Sequence, residues 1–129
     1  MPELAQGDSI ELRITPDPYV TVRYAGASGD FNPIHIDEGF AKQVGLPGRI
    51  LHGLWTMAQV ARAHTEAAGG PETLRCLSLQ FRGMGRLGEE IVITGTVREV
   101  DGDTAIVDSE ARQAGNRIVR NAVAEVSLR

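Results

Sequence analysis

A single cysteine, Cys76, is all the thiol chemistry this chain holds. It permits no internal disulfide, so nothing in the sequence argues for an oxidising compartment. Positive charge is scarce too. The formal net charge of −4 argues against bulk nucleic-acid binding, which needs a basic face. It does not exclude an anionic small molecule, because a few local arginines suffice to hold a phosphate. No apolar run approaches the roughly 20 residues that span a bilayer. Met1-Pro2-Glu3-Leu4-Ala5-Gln6-Gly7-Asp8 has neither the basic start nor the apolar core of a signal peptide. The expectation is a cytoplasmic chain that meets neither nucleic acid nor membrane. Internal repeats, low-complexity tracts, a P-loop and a Gly-x-Ser-x-Gly elbow are also absent.

What remains is ordinary globular material: 129 residues, 42% hydrophobic and 23% charged. That length predicts one domain, residues 1–129, with room for one core. Ile10-Glu11-Leu12-Arg13-Ile14 alternates with period two and reads as a first strand, ended by Pro16 and Pro18. Tyr19 to Ala27 reads as a short helix. Pro33 biases Asn32 away from the α region, which predicts a loop from Gly29 to Ile36. Asp37 is a candidate N-cap for a second short helix to about Val44, before Gly45-Leu46-Pro47-Gly48 breaks the chain.

From Gly53 to Ala68, Leu54, Met57, Ala58 and Ala61 fall at helical spacing, and Trp55 and Val60 widen the apolar face. Such a helix wants to be largely wrapped by other structure. Gly69-Gly70-Pro71 ends it. Leu74–Phe81, Glu90–Val100, Thr104–Arg112 and Arg117–Leu128 then read as strands, with turns at Asp101-Gly102 and Gly115-Asn116. The order predicts an α+β fold, an antiparallel sheet curled around one long central helix.

The residues with chemical potential cluster in Ser28-Gly29-Asp30-Phe31-Asn32-Pro33-Ile34-His35 and Ile50-Leu51-His52-Gly53-Leu54. Histidine titrates near neutrality, and a nearby carboxylate orients its ring and supports its charged form. Asp30 and His35 can therefore hold a water, remove its proton and return one to carbon. The plainer reading is a turn-capping aspartate and a histidine bonded to a carbonyl. Gly53, at a helix start, offers free N–H groups and the positive end of the helix dipole to a developing oxyanion. His52 suits a structural hydrogen bond better than a second base. Asn32 braces the loop or holds the water. Thr56 lines the site or bonds back to a helix carbonyl. Trp55 is core packing or a pocket wall. His35, His52 and His64 show no metal-ligand spacing, so no metal is expected. Cys76 is expected to be a buried structural thiol. Arg75, Arg82, Arg86, Arg112, Arg117 and Arg120 read as a solvated strand face from which some can meet the phosphates of a carrier.

The run Tyr24-Ala25-Gly26-Ala27-Ser28-Gly29-Asp30-Phe31-Asn32-Pro33-Ile34-His35-Ile36-Asp37 resembles the hydratase motif of the MaoC-like (R)-specific enoyl-thioester hydratases and dehydratases. Phe40-Ala41 and Ile50-Leu51-His52-Gly53 continue the match. Within the family the chain is similar to short single-hotdog subunits, such as the B subunit of the mycobacterial fatty-acid dehydratase. The resemblance implies a hotdog fold, a catalytic dyad of Asp30 and His35, and a Gly53 amide that polarises the thioester carbonyl. It implies that Asn32 supports the loop and that no metal or redox cofactor is needed. The implied reaction adds water to a trans-2-enoyl thioester to give an (R)-3-hydroxyacyl thioester, or the reverse, on coenzyme A or acyl carrier protein. A homodimer or a heterodimer with a related hotdog subunit is implied as well.

Two positions depart from the motif. Glu38 stands where many relatives carry proline, on the first turn of a helix where an acid is welcome. Trp55 is bulky for the side of an acyl channel; pointing inward, it would restrict the substrate to short or branched chains. The competing functions are a hotdog acyl-thioesterase and a non-catalytic acyl-binding subunit of a heterodimeric dehydratase.

Overall fold

A computed structural model of the chain describes residues 3–128. Strand β1 (Ser9–Ile14) leads into three helices, α1 (Val20–Ser28), α2 (Pro33–Ile36) and α3 (Glu38–Gln43). The long helix α4 (Gly53–Ala68) follows, and a 3₁₀ turn at Pro71–Thr73 opens the run β2 (Leu74–Phe81), β3 (Ile91–Asp101), β4 (Thr104–Gln113) and β5 (Asn116–Ser127). The five strands form one antiparallel sheet in the order β1-β3-β4-β5-β2, so β2 is an edge strand.

Local chemistry explains the boundaries. Gly29 and Gly69 end α1 and α4 in the left-handed region, at φ 80° and 108°, where a side chain would be strained. Ala114 and Gly115 both carry positive φ at the β4–β5 turn, as a tight hairpin requires. Gly95 has no room for a Cβ, which would lie 2.9 Å from the Asp108 carbonyl oxygen on the neighbouring strand.

The core forms where α4 lies on the sheet. Val60, Ala63 and Trp55 share a buried cluster with Ile91, Ile93, Val97, Val107, Val119 and Val126. Each large aliphatic side chain removed from water contributes about 1.5–3 kcal/mol.

Three local expectations change. Pro33–Ile36 is a helical turn rather than loop, because Asn32 accepts a hydrogen bond from the Ile34 amide and Pro33 occupies the first turn, where its missing N–H costs nothing. Cys76 is exposed, because β2 is an edge strand. The face of α4 turned to the sheet is Trp55, Thr56, Val60, Ala63 and His64, whereas Leu54 and Ala58 are exposed and Met57 and Ala61 half-buried. The helix is thus covered on one side and open and apolar on the other.

Candidate active site

Asp30 and His35 are brought together by a chain of local bonds. Ser28 donates its hydroxyl to the Tyr24 carbonyl and accepts from the Asp30 amide, which pins the turn after α1. Asp30 Oδ1 accepts from the Asn32 amide, and the Asn32 side chain caps α2. One turn later His35 is 7% exposed, and its Nδ1 lies 2.8 Å from the Ile50 carbonyl oxygen. A carbonyl only accepts, so Nδ1 carries a proton and Nε2 is the nitrogen left facing Asp30. Nε2 lies 3.9 Å from Asp30 Oδ2, too far for a direct hydrogen bond and close enough for both to hold one water. Asp30 is half-exposed, and His35 lies on the protein side of it.

His52 completes the arrangement. It is 2% exposed, its Nε2–H donates to the Asp30 carbonyl at 3.0 Å, and its ring stacks on that of His35. Tyr24 packs against its other surroundings, ring centroids 4.7 Å apart. His52 Nδ1 is buried and has no hydrogen-bond partner among the described residues. The ligand-capable atoms of Asp30, His35 and His52 fall within 4.8 Å of one another, a cluster the sequence spacing did not reveal. Each imidazole spends one nitrogen on a carbonyl.

Beside the dyad, His52 is the N-cap of α4 and Gly53 its first residue. The first amides of a helix have no intrahelical partner, so a donor pair and the positive end of a sixteen-residue helix face the site. A cavity of about 200 Å3 opens there, lined by His35, Gly53, Thr56, Phe81, Met84 and Ile118 among others. A Cβ on Gly53 would meet the Phe81 ring at 3.4 Å, an ordinary contact, so Phe81 lies directly beside this helix start.

The structure therefore gathers Asp30, His35, Gly53 and Thr56. Asn32 adjoins them, its side-chain oxygen engaged in the α2 cap. Trp55 stands apart: it is buried and lines a different cleft with Ile14, Val20 and Tyr24. The wall of the cavity comes from a segment the sequence reading passed over, Phe81 to Gly85. Its signal was the alternation Gly83-Met84-Gly85. Leu51 donates its amide to the Gly85 carbonyl, and a Cβ on Gly85 would collide with the Leu51 side chain at 2.7 Å. Buried Gln113 fastens the far end, accepting from the Arg86 amide and donating to the carbonyls of Arg86 and Glu89.

This geometry meets its relatives at the level of the whole domain. Residues 3–118 match the model of the MaoC like domain. The chain belongs to the MaoC-like dehydratase family. It is 33% identical over 128 residues, 96% of its length, to the fatty acid synthase beta subunit aflB of Emericella nidulans, of which it spans 6%. It is 41% identical over 56 residues to the peroxisomal enoyl-CoA hydratase 2 of Arabidopsis thaliana, covering 42% of this chain and 18% of that one. Among solved structures, the ChsH1-ChsH2 complex from Mycobacterium tuberculosis aligns with TM-score 0.87 and 25% identity over 97% of this chain and 98% of that one. The (R)-hydratase from A. caviae involved in PHA biosynthesis aligns with TM-score 0.88 and 22% identity, over 98% of both chains, and shares the fold. The MaoC-like domain is a hotdog, with α4 as its central helix. The chain spans only a few per cent of the length of the fungal synthase subunits it matches, 4% and 6% for two of them.

Proposed function

We propose that this MaoC-like domain is a hydro-lyase that adds water to trans-2-enoyl thioesters to give (R)-3-hydroxyacyl thioesters, and runs the reverse dehydration. The observation that carries the proposal is the pairing of Asp30 with Nε2 of His35, which lines one cavity together with Gly53 at the N-terminus of α4. A thioester carbonyl seated on the Gly53 amide gains most as its oxygen becomes enolate-like, which is differential stabilisation of the transition state. Water held between Oδ2 and Nε2 attacks C3. One of its protons passes to the dyad, the π pair shifts onto the carbonyl oxygen, and collapse of the enolate takes a proton at C2 from the dyad. Acid/base action of this kind accounts for about 10²–10⁴-fold of a rate.

The acyl chain fits the apolar lining of the cavity, which includes Leu51, Met84, Ile118 and Val119, and a volume of about 200 Å3 favours short chains. A second hotdog chain, identical or related, is the expected partner. Edge strand β2 and the open face of α4 are unpaired in the single chain, and Leu54, Phe81 and Met84 are 64%, 47% and 50% exposed. Native mass measured alone and with a candidate partner tests that pairing.

The deciding experiment follows loss of the conjugated enoyl-thioester absorbance with crotonyl-CoA, beside an Asp30→Asn control, with chiral analysis of the product. Loss with the unaltered protein only, giving the (R)-alcohol, supports the reading. Release of free thiol from a saturated acyl-CoA would replace it with thioester hydrolysis.

A further inference from the structure

The larger grooves of the described surface are wrong in charge for an anion. One of about 650 Å3 across β1, β3 and β4 presents Glu11, Asp108 and Glu110. Another of about 390 Å3 beside β1 and α4 presents Glu3, Asp8, Glu11 and Glu66. A third, about 480 Å3 between α1 and α4, contains Arg23 and Arg62, but these already pair with Asp17 and Glu66.

A fourth cleft, of about 350 Å3, differs. It shares Gly83, Met84 and Ile118 with the cavity at the dyad, so the two are neighbours across one segment. Arg82, Arg86 and Arg117 line it, against one acid, Glu89. Among the described residues, Arg82 and Arg86 have no carboxylate within ion-pair distance, and Arg117 reaches Glu110 only at 3.9 Å, where Arg112 is already bound. In a chain of net charge −4, this is a local inversion of sign.

A second observation points the same way. Arg82 Nη2, Arg120 Nε and Asn121 Nδ2 all donate to one neutral atom, Gln80 Oε1, at 3.2, 3.1 and 3.2 Å. Two guanidinium groups are thus drawn together on one neutral acceptor. The convergence is built into the backbone. The β2–β5 register passes from Ser78↔Val123 to Gln80↔Arg120, so that Asn121 and Ala122 bulge opposite Leu79, and Asn121 takes a left-handed φ of 52°. A bulge of this kind re-aims side chains, and here it turns donors toward Gln80.

We propose that Arg82 and Arg120, with Arg86 and Arg117 around the adjoining cleft, bind the phosphate of the substrate's phosphopantetheine arm, an assignment that rests on the thioester chemistry proposed above. Arginine forks match phosphate oxygens in two-point contacts and give up hydration more readily than lysine. The buried, unpartnered Glu89 Oε2 offers an acceptor for an amide or hydroxyl of the same arm. The thioester at Gly53 then lies beside the Phe81 ring and the phosphate at the next residue, Arg82, with the arm between them. Coenzyme A and an acyl carrier protein both present such a phosphate.

The test compares three crotonyl thioesters, on coenzyme A, on an acyl carrier protein and on pantetheine, which lacks the phosphate. Arg82→Gln, Arg120→Gln and the double variant are measured beside Arg98→Gln, whose pair with Asp108 is on the sheet away from the cleft. The double variant is expected to raise KM at least about tenfold for a phosphate-bearing thioester, with kcat within about twofold and the pantetheine thioester unchanged. An effect on the coenzyme A thioester alone, or on the carrier-protein thioester alone, supports the site and names its source. Equal shifts for all three thioesters, or none, overturn it. Calorimetric titration of free coenzyme A and of the holo carrier protein into Asp30→Asn protein, with and without the double substitution, reads the cleft without turnover. Binding lost with the arginines while the unaltered protein leaves crotonyl thioesters intact keeps the cleft and rejects the hydratase. Normal hydration with an unchanged KM in the double variant does the opposite, and binding of neither carrier also overturns the site.

Discussion

His52 lies face to face with His35, ring centroids 3.8 Å apart and planes within 22° of parallel, while its Nε2 holds the Asp30 carbonyl. One buried side chain thus touches both members of the dyad and sets the distance between them. Its two functions separate by substitution. His52→Phe keeps an aromatic face and loses the donor; His52→Gln keeps a donor and loses the face. Each is expected to lower kcat about tenfold or more with a smaller change in KM, since misplacement of a catalytic group by about 1 Å can cost 10²-fold. The kcat and KM split on crotonyl-CoA, with melting temperature as a check on folding, measures this. Unchanged kcat in both would reduce His52 to a helix-start residue.

The dyad itself carries a larger expectation. Asp30→Asn and His35→Ala should each reduce turnover at least ~10²-fold in folded protein. The double variant should be little worse than either single one, because groups that act as a unit are not additive. A double variant whose loss equals the product of the single losses would mean the two residues work independently.

Chain-length preference is read in the apolar lining of the cavity. Met84 is half-exposed, so Met84→Ala is expected to leave stability nearly unchanged and widen the wall. Ile118→Val removes one methyl group from a 4%-exposed position at a cost of about 0.5–1.5 kcal/mol. Both changes should raise kcat/KM for an eight-carbon enoyl-CoA relative to crotonyl-CoA. An unaltered ratio in the pair would place the acyl chain elsewhere.

His64 makes stability depend on pH. It is 1% exposed on α4, donates Nδ1–H to the Val60 carbonyl at 2.7 Å and leaves Nε2 unpartnered. Burial pushes its pKa down, with the Val60 hydrogen bond opposing. The unfolded chain takes up this proton below about pH 6.5, where the native state still refuses it. Its contribution is therefore full above about pH 6.5 and is lost as pH falls toward the depressed native value. Denaturant titrations at pH 7.5 and 5.5 should show a larger loss for the unaltered protein than for His64→Leu, by at most about 1.4 kcal/mol per pH unit. Equal losses would mean that His64 protonates without penalty in the fold.

Much of the architecture was legible because glycine and proline punctuate it. Helix α4 and strand β2 run between the residues the sequence indicates, Gly53–Ala68 and Leu74–Phe81, since Gly69-Gly70-Pro71 permits neither to extend. Local spacing failed where the answer depended on a distant neighbour. Alanine-rich α4 has apolar residues on both sides, so the Leu54–Ala61 spacing and the wider stripe through Trp55 and Val60 competed, and the sheet took Trp55, Val60 and Ala63. Asp30 and His35 were visible as a local pair. The stack of His52 on His35 was not, because it needs Ile50 to bond Ile34 and His35 across the intervening helix α3. The cavity wall at Met84 and Ile118 joins the end of β2 to the start of β5, a pairing no sequence window contains.

The three hydrogen bonds of Gln113 act on backbone groups of Arg86 and Glu89, not on side chains. The course of the segment from Phe81 to Glu89 is consequently indifferent to which side chains it displays at Arg82, Met84 and Arg86. Such a frame lets substrate preference drift by single substitutions, at the tail through Met84 and at the head through the arginines, while the distance from either to the dyad stays fixed. Descendants of one ancestral domain can in this way diverge in the acyl groups and carriers they accept without any insertion or deletion in the loop that reads them.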